Sequence, residues 1–161
     1  MLRSPSRLAI AALVLLIPVF LWSCYHAVTY RESGEHVARV SWLPDEASDV
    51  SYYRTVHMVV YECRIARPAF VALAREKGWE LKPIREPTEA TRPAWFSTQA
   101  PRKEDFPGDQ DRYDREFTAW LGRTRAVVRD GWTAGDREGD CGDIVVYDQE
   151  AGRLYYYWTA R

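Results

Sequence analysis

The sequence contains no asparagine, three histidines and only three lysines among 22 basic residues. The absence of asparagine excludes N-glycosylation, because that modification needs an Asn acceptor. The formal net charge of −1 gives no basic excess, so we expect no nucleic-acid partner. A glycine-rich phosphate loop and an HExxH motif are both absent, which removes two sequence signals of nucleotide-binding and zinc-dependent enzymes.

Catalytic residues have no sequence signal in this chain. No serine or cysteine lies in a nucleophile-elbow pattern, so a histidine would have no partner to activate. His57 and Cys63 would share a face of one strand, but six residues span roughly 20 Å at the rise of a strand, which excludes a dyad. We therefore predict no catalytic residue and no cofactor, and we favour a non-enzymatic role.

Charge is also missing from an apolar run between Leu8 and Trp22, with Arg3 and Arg7 before it. A helix that spans a bilayer needs about 20 residues, and extension to Val28 supplies that length. We predict a membrane anchor at 1–29, with residues 8–28 in the lipid bilayer. The N-terminus should be cytoplasmic, because positively charged flanks stay on that side.

Two other interpretations of the N-terminus remain open. A cleaved secretory signal needs small residues at positions −3 and −1 of the cut, and Leu21 or Tyr25 would occupy position −3. A bacterial lipoprotein signal would end at Cys24, where Leu21 and Ser23 resemble a lipobox and Trp22 departs from it. We expect a single-pass protein of a bacterial inner membrane, with the residues from about 30 onward outside the cytoplasm.

The rest of the chain predicts a polar linker at 30–36 and one extracytoplasmic domain at 37–161. Its patterns indicate an α+β fold with a mainly antiparallel sheet and one or two packed helices. The segment 50–84 is also compatible with a βαβ unit. Strands are predicted where β-branched and aromatic residues concentrate, and helices where apolar residues recur with helical spacing. The predicted strands are 37–43, 50–65, 79–84, 124–129, 144–147 and 154–159, and the predicted helices are 67–77 and 111–121.

Cys63 and Cys141 would both lie outside the cytoplasm, where a disulfide can persist. We therefore consider a bond between them. The alternative is a buried free thiol at Cys63 and an unrelated loop thiol at Cys141.

An acidic run at 136–143 superficially resembles a calcium loop, with Asp136, Glu138 and Asp140 as the weak candidate ligands. In such a loop the sixth position is Gly and the twelfth is Glu, whereas this chain has Cys141 and Tyr147 there. A solvated hairpin loop is the favoured interpretation, and no metal is predicted.

A long loop is predicted at 85–109, which holds four of the nine prolines. Loops of this length are uncommon in compact domains unless they have a function or are partly disordered. Trp95 and Phe96 interrupt it. These rings either attach the loop to the core or form an exposed aromatic contact point for a partner.

Three segments resemble a pattern in uncharacterised, membrane-anchored bacterial proteins. The first is WLPDEASDVSYY at 42–53, followed by Tyr61 and by a helix beginning at Pro68. The last is the closing hairpin, from Tyr147-Asp148 to GRLYY at 152–156. The resemblance implies an envelope protein and supplies no catalytic residue.

Two function hypotheses follow. The first is a membrane-tethered domain that binds an envelope protein or supports an envelope structure. The second is a ligand-binding or hydrolase-like domain that uses the carboxylates of the loops at 85–109 and 136–143.

Overall fold

The computed structural model describes residues 16–18, 22, 30–136 and 141–160. The chain divides into two compact units, Met1–Arg31 and Glu32–Arg161. In the first unit, residues 16–18 and 22 are helical. Among the described residues, no helix is long and apolar enough to cross a membrane. Most of the predicted span at 8–28, and Cys24 with it, lies outside the described residues.

The second unit is an α+β domain, as the sequence predicts. Its helices are α1 (Arg67–Lys77), α2 (Ala94–Ser97) and α3 (Gln110–Thr124), and a 3-10 turn lies at Lys103–Asp105. Its strands are β1 (Arg31–Val37), β2 (Ser48–Thr55), β3 (Met58–Arg64), β4 (Lys82–Pro83), β5 (Thr88–Thr91), β6 (Arg125–Val128), β7 (Gly131–Ala134), β8 (Gly142–Asp148) and β9 (Arg153–Thr159).

Seven strands form one sheet in the order β1-β2-β3-β9-β8-β7-β4, and β5 and β6 form a separate ribbon. From β2 to β4 in this sheet order, each strand pairs antiparallel with its neighbour. The sheet is therefore mainly antiparallel, which confirms that part of the predicted fold class and decides against a βαβ unit. Strands β3 and β9 lie near the middle, with Tyr61 opposite Tyr156 and Cys63 opposite Leu154.

Helix α1 covers one face of the sheet, and its ends follow from local sequence signals. Pro68 lies in the first turn, and Gly78 ends the helix with a φ of 70°, a conformation that suits glycine. Phe70 is buried and stacks on Tyr147 of β8, with ring centroids 4.2 Å apart. Val59, Tyr61, Cys63 and Ile65, which alternate along the chain, all belong to this core.

The ribbon and helix α2 cover the opposite face. Ala90 and Val128 of the ribbon pack against Val146 and Tyr155 of the sheet. Phe96 of α2 stacks on Tyr53 and Tyr157, with centroid distances of 5.2 and 6.2 Å. The sheet therefore separates two cores with different coverings.

The predicted strand at 50–65 is wrong in one respect, because it is a hairpin. Strands β2 and β3 pair antiparallel across Val56 and His57, and the Thr55 hydroxyl accepts a hydrogen bond from the His57 backbone N–H at 3.3 Å. The turn contains no Gly, Pro or Asn, so it lacks the residues that usually mark a hairpin.

Two predictions near the start of the domain also differ from the structure. The polar stretch at 30–36, predicted as a linker, contributes most of β1 at the sheet edge. The predicted strand at 37–43 is instead mostly a loop, stabilised by a backbone hydrogen bond of 3.0 Å from Leu43 to Val40. An edge strand can be polar because one side of it remains in water.

The long loop predicted at 85–109 contains β5, α2 and the 3-10 turn. Strand β7, which pairs with β8, lies between the predicted strands 124–129 and 144–147, where no strand is predicted. Helix α3 continues beyond its predicted end at 121 and ends at Thr124, whose hydroxyl donates to the Trp120 carbonyl at 2.9 Å. Short strands of four residues give weak periodic signals, which explains the two missed strands.

Candidate functional site

An open cleft of about 680 Å³ lies on the face of the sheet that α1 covers. We call it the aromatic cleft. Its apolar part combines four rings with three valines, and its edge carries charged and hydroxyl groups. The lining residues are Glu32, Val37, Arg39, Val40, Ser41, Trp42, Tyr52, Arg54, Val59, Tyr61 and Tyr156.

Strand register creates the floor of the aromatic cleft. Tyr52 lies opposite Tyr61 across β2 and β3, and Tyr61 lies opposite Tyr156 across β3 and β9. Directly opposed residues point to the same side of an antiparallel sheet, so three neighbouring strands place a row of tyrosines there. Centroids in this row are 6.1 and 6.3 Å apart.

Trp42, in the loop between β1 and β2, lies over the ring of Tyr61. Its ring lies 5.1 Å from that of Tyr61 with an interplanar angle of 7°, and 4.5 Å from that of Tyr156. Ring pairs at such distances add about 0.5–1.5 kcal/mol beyond area burial, so the loop is held firmly onto the sheet.

Gly34 lets β1 approach this row of rings. A Cβ atom at this position would lie 2.6 Å from Cε1 of Tyr52, which is too close for unshifted atoms. The Tyr52 hydroxyl donates a hydrogen bond of 2.9 Å to Glu32 of the same strand. The ring of Tyr52 is therefore fixed between β1 and the floor.

Tyr61 brings a buried hydroxyl to the aromatic cleft. The residue as a whole is 5% exposed, and it lines the open cleft. Burial raises the pKa of Tyr61, Arg54 opposes that shift and Glu32 adds to it. Burial, with a smaller contribution from Asp143, raises the pKa of Tyr156 to about 12. Both phenols therefore stay neutral hydrogen-bond donors at ordinary pH.

Charges of both signs stand at the edge of the cleft. Glu32 supplies a carboxylate, and Arg39 and Arg54 supply guanidinium groups. Arg39 pairs with Asp45, whereas Arg54 has no ion pair within the described part of the chain. An apolar floor with a few polar groups around it is the usual composition of a small-molecule site.

The opposite face carries a buried charge network centred on Glu62. Its carboxylate, 3% exposed, accepts hydrogen bonds from Arg92 at 2.7 and 2.8 Å and from Arg153 at 2.7 Å. Arg153 also donates to Asp49 at 2.5 Å, and His36 bonds to the same carboxyl. The bond from His36, followed by that from Arg153, lowers the pKa of Asp49 against an opposing effect of burial.

This network lines a cleft of about 360 Å³, but its groups are already paired with one another. Arg92 also donates a hydrogen bond of 3.3 Å to the Gly122 carbonyl. The arrangement joins β2, β3 and β9 to the segment after β5. We therefore interpret it as a structural connection, and the sequence offered one signal for it: a lone carboxylate inside an otherwise apolar strand.

Trp95 and Phe96 both pack onto neighbouring rings. Trp95 lies 4.7 Å from Trp120 of α3, and Phe96 stacks on the second face as described above. The two rings also line a smaller cleft of about 260 Å³. This geometry fits the interpretation that the rings attach the loop to the core, and their role as a partner contact stays a prediction.

Cys63 and Cys141 are free thiols, so the disulfide considered from the sequence is wrong. Cys63 lies opposite Leu154, whereas Cys141 precedes Gly142, which lies opposite Thr159. Five positions along a strand span about 16 Å, and a disulfide needs Cα atoms within about 7 Å. Burial raises the pKa of Cys63 to about 12.

The acidic loops do not meet in the described part of the chain. Asp136 and Asp143 line a cleft of about 290 Å³ beside Lys77 and Lys82, whereas Glu89 lines the cleft of Trp95. Glu138 and Asp140 lie outside the described residues. Among the described residues, no group of three or more His, Cys, Asp or Glu side chains could hold a metal ion.

Comparisons of this chain with protein-family models, with curated proteins and with solved structures find no match. The site is therefore interpreted from its own geometry. Sequence reasoning missed the aromatic cleft. Reading β2 and β3 as one strand concealed the pairing of Tyr52 with Tyr61, which the cleft requires.

Proposed function

We propose that this chain is a membrane-tethered, extracytoplasmic binding domain that holds a small ligand in the aromatic cleft without transforming it. One observation carries the proposal: the cleft, of about 680 Å³, combines an apolar lining of rings and valines with charged and hydroxyl groups at its edge. This combination is the usual composition of a site for a small molecule. The absence of a sequence signal for catalysis favours binding over turnover.

Tethering is the second part of the proposal. Residues 8–28 would cross the bacterial inner membrane with the N-terminus in the cytoplasm, and the domain would face an envelope partner. Lipidation at Cys24 is the alternative attachment and leaves the domain on the same side. A phosphatase reporter fused after Arg161 should be active only if the tail is outside the cytoplasm, and activity of a cytosolic reporter there would contradict this topology.

Binding is tested by ligand-observed NMR with a library of small ring-containing compounds and the full-length chain. We expect a set of compounds that bind the natural chain and lose binding in Ser41→Trp. Ser41 is exposed and lines the cleft, so a tryptophan there fills the space without disturbing the core.

The matched control is Thr118→Trp, at an exposed position of α3 outside the cleft. It should bind the same compounds as the natural chain. Compounds that bind both variants equally, or a library with no binder at all, would contradict the proposal.

The hydrolase-like alternative has less support. Among the described residues, Glu89 lines one cleft and Asp136 and Asp143 line another, whereas general acid–base chemistry requires carboxylates that converge on one substrate position.

A further inference from the structure

The charges around the aromatic cleft point to its ligand class: we propose that it binds an α-amino acid with an apolar side chain. The ammonium group of the ligand would pair with Glu32 and its carboxylate with Arg54, and its side chain would lie on the valines of the cleft. This inference rests on the proposed function, because it names what the same site holds.

Arg54 supplies a cation that forms no ion pair with any described residue. It is exposed and lines the cleft. It lies directly opposite Val59 across β2 and β3, so both side chains are on the side of the sheet that carries the cleft. The other guanidinium group of the cleft, that of Arg39, is paired with Asp45. A carboxylate that enters the cleft would therefore bind Arg54.

Glu32 supplies the negative charge, and a hydrogen bond fixes its position. Its carboxylate accepts this bond, of 2.9 Å, from the Tyr52 hydroxyl. A carboxylate has about four lone-pair positions, so an ammonium group can bind beside Tyr52. Tyr52 precedes Arg54 by two residues, which is about 7 Å along a strand. The anion and the cation are therefore held near each other on one side of the sheet.

Both charges also act on the same hydroxyl group. Burial is the largest cause that raises the pKa of Tyr61, whereas Arg54 lowers this pKa and Glu32 raises it further. The two charges are therefore within electrostatic reach of one point in the cleft. Because Arg54 forms no ion pair with Glu32, a ligand with one charge of each sign can contact both.

Three valines supply the apolar contact. Val37, Val40 and Val59 line the cleft and are only partly buried. The rings of Trp42 and Tyr61, in contrast, already cover each other. An apolar side chain on the ligand would remove the remaining surface of the valines from water, which is favourable in proportion to the area covered.

Charge balance favours a zwitterion over an ion of one sign. A simple carboxylate would gain from Arg54 but would be repelled by Glu32, and a simple amine would be attracted by Glu32 and repelled by Arg54. Hydrogen bonds that involve charged groups are roughly twice as strong as neutral ones. A ligand that carries both charges therefore gains at each end and meets no repulsion.

The test is a titration of the full-length chain, held in an uncharged detergent, with three probes that share one side chain. The probes are phenylalanine, N-acetylphenylalanine, which lacks the ammonium charge, and phenylalaninamide, which lacks the carboxylate. Binding is followed by the indole N–H signal of Trp42. We expect saturable binding of phenylalanine, binding about tenfold weaker for each blocked probe, and loss of all three in Ser41→Trp.

Two substitutions assign each ligand charge to its partner. Arg54→Gln should weaken phenylalanine about tenfold and leave phenylalaninamide unchanged, because that probe has no carboxylate to lose its partner. Glu32→Gln should weaken phenylalanine by a similar factor and leave N-acetylphenylalanine unchanged, while the glutamine oxygen still accepts from Tyr52. A distortion of the cleft would instead weaken every probe. Arg115→Gln, at an exposed position of α3 outside the cleft, is the matched control and should bind all three probes normally.

Three results would overturn the inference. They are a blocked probe that binds as tightly as phenylalanine, a substitution at Arg54 or Glu32 that weakens all three probes equally or none, and no binding of phenylalanine while other compounds still bind in the cleft. The last result would leave the proposed function intact. The proposed function fails separately, when no compound of the library loses binding in Ser41→Trp.

Discussion

Glu62 is the residue whose replacement should destabilise the fold most clearly through charge alone. In Glu62→Gln the side chain keeps its shape but loses the negative charge that Arg92 and Arg153 share. The amide also has one acceptor oxygen, whereas the carboxylate accepts three hydrogen bonds of 2.7 to 2.8 Å. Two guanidinium groups would then face each other with incomplete compensation.

The size of the effect follows from burial. Breaking a buried ion pair by removing one partner destabilises by about 3–5 kcal/mol. Arg92 is 32% exposed, so water can hydrate part of its charge, and we expect the lower end, about 3 kcal/mol. With a urea m-value of about 1–3 kcal/mol/M, the midpoint should fall by about 1–3 M.

Glu89→Gln is the matched control, because it removes the same charge from an exposed pair. Glu89 is 61% exposed and contacts Arg125 at 2.5 Å, and such surface pairs contribute about 0–1 kcal/mol. Both variants are compared by urea unfolding of the full-length chain, with circular dichroism as the measure of the folded fraction. An equal shift of the two midpoints would refute the structural role assigned to the Glu62 network.

Three further predictions test other parts of the structure. Gly131→Ala should destabilise by about 3 kcal/mol or more in a thermal melt, because the new Cβ would lie 1.8 Å from the Tyr147 carbonyl oxygen at a φ of 147°. Gly122→Ala, with open space around it, should stabilise α3 by about 0.5–1 kcal/mol. A melting temperature that is lower for Gly122→Ala than for Gly131→Ala would contradict the backbone conformations of these two glycines. In a Cys24→Ser background, a thiol reagent should modify Cys141 in the folded chain and Cys63 only after unfolding; rapid reaction at both would show that Cys63 is not buried. Burial raises the pKa of Tyr156 from 10.0 to about 12. The stability that the neutral Tyr156 side chain contributes should therefore be complete below pH 10 and be lost as the pH rises to about 12. An absorbance titration in which every tyrosine ionises near pH 10 would contradict this prediction.

Elements with local signals at both ends were predictable from the sequence. Helix α1 has Pro68 in its first turn and Gly78 after its end, and its predicted and observed bounds coincide. The closing hairpin was predicted for a similar reason, because Gly152 supplies the positive φ of 61° that its turn requires. In both places the residues that decide the conformation are neighbours in sequence.

Elements that depend on distant partners were not predictable in this way. The polar sequence of β1 has no apolar alternation, and it is a strand because β2 lies beside it. The β2–β3 turn has a Thr55 hydroxyl bond where other hairpins have glycine or asparagine. The candidate site could not be predicted for the same reason, since its tyrosines come from three strands whose register is set by long-range pairing.

The proposal that the aromatic cleft is the ligand site of this chain can be tested directly through its seven tryptophans. Each indole N–H gives its own signal in a two-dimensional NMR spectrum of the full-length chain. As a ligand is added, we expect a saturable shift of the Trp42 signal, with those of Trp95 and Trp120 unchanged. A saturable shift at Trp95 with none at Trp42 would contradict it.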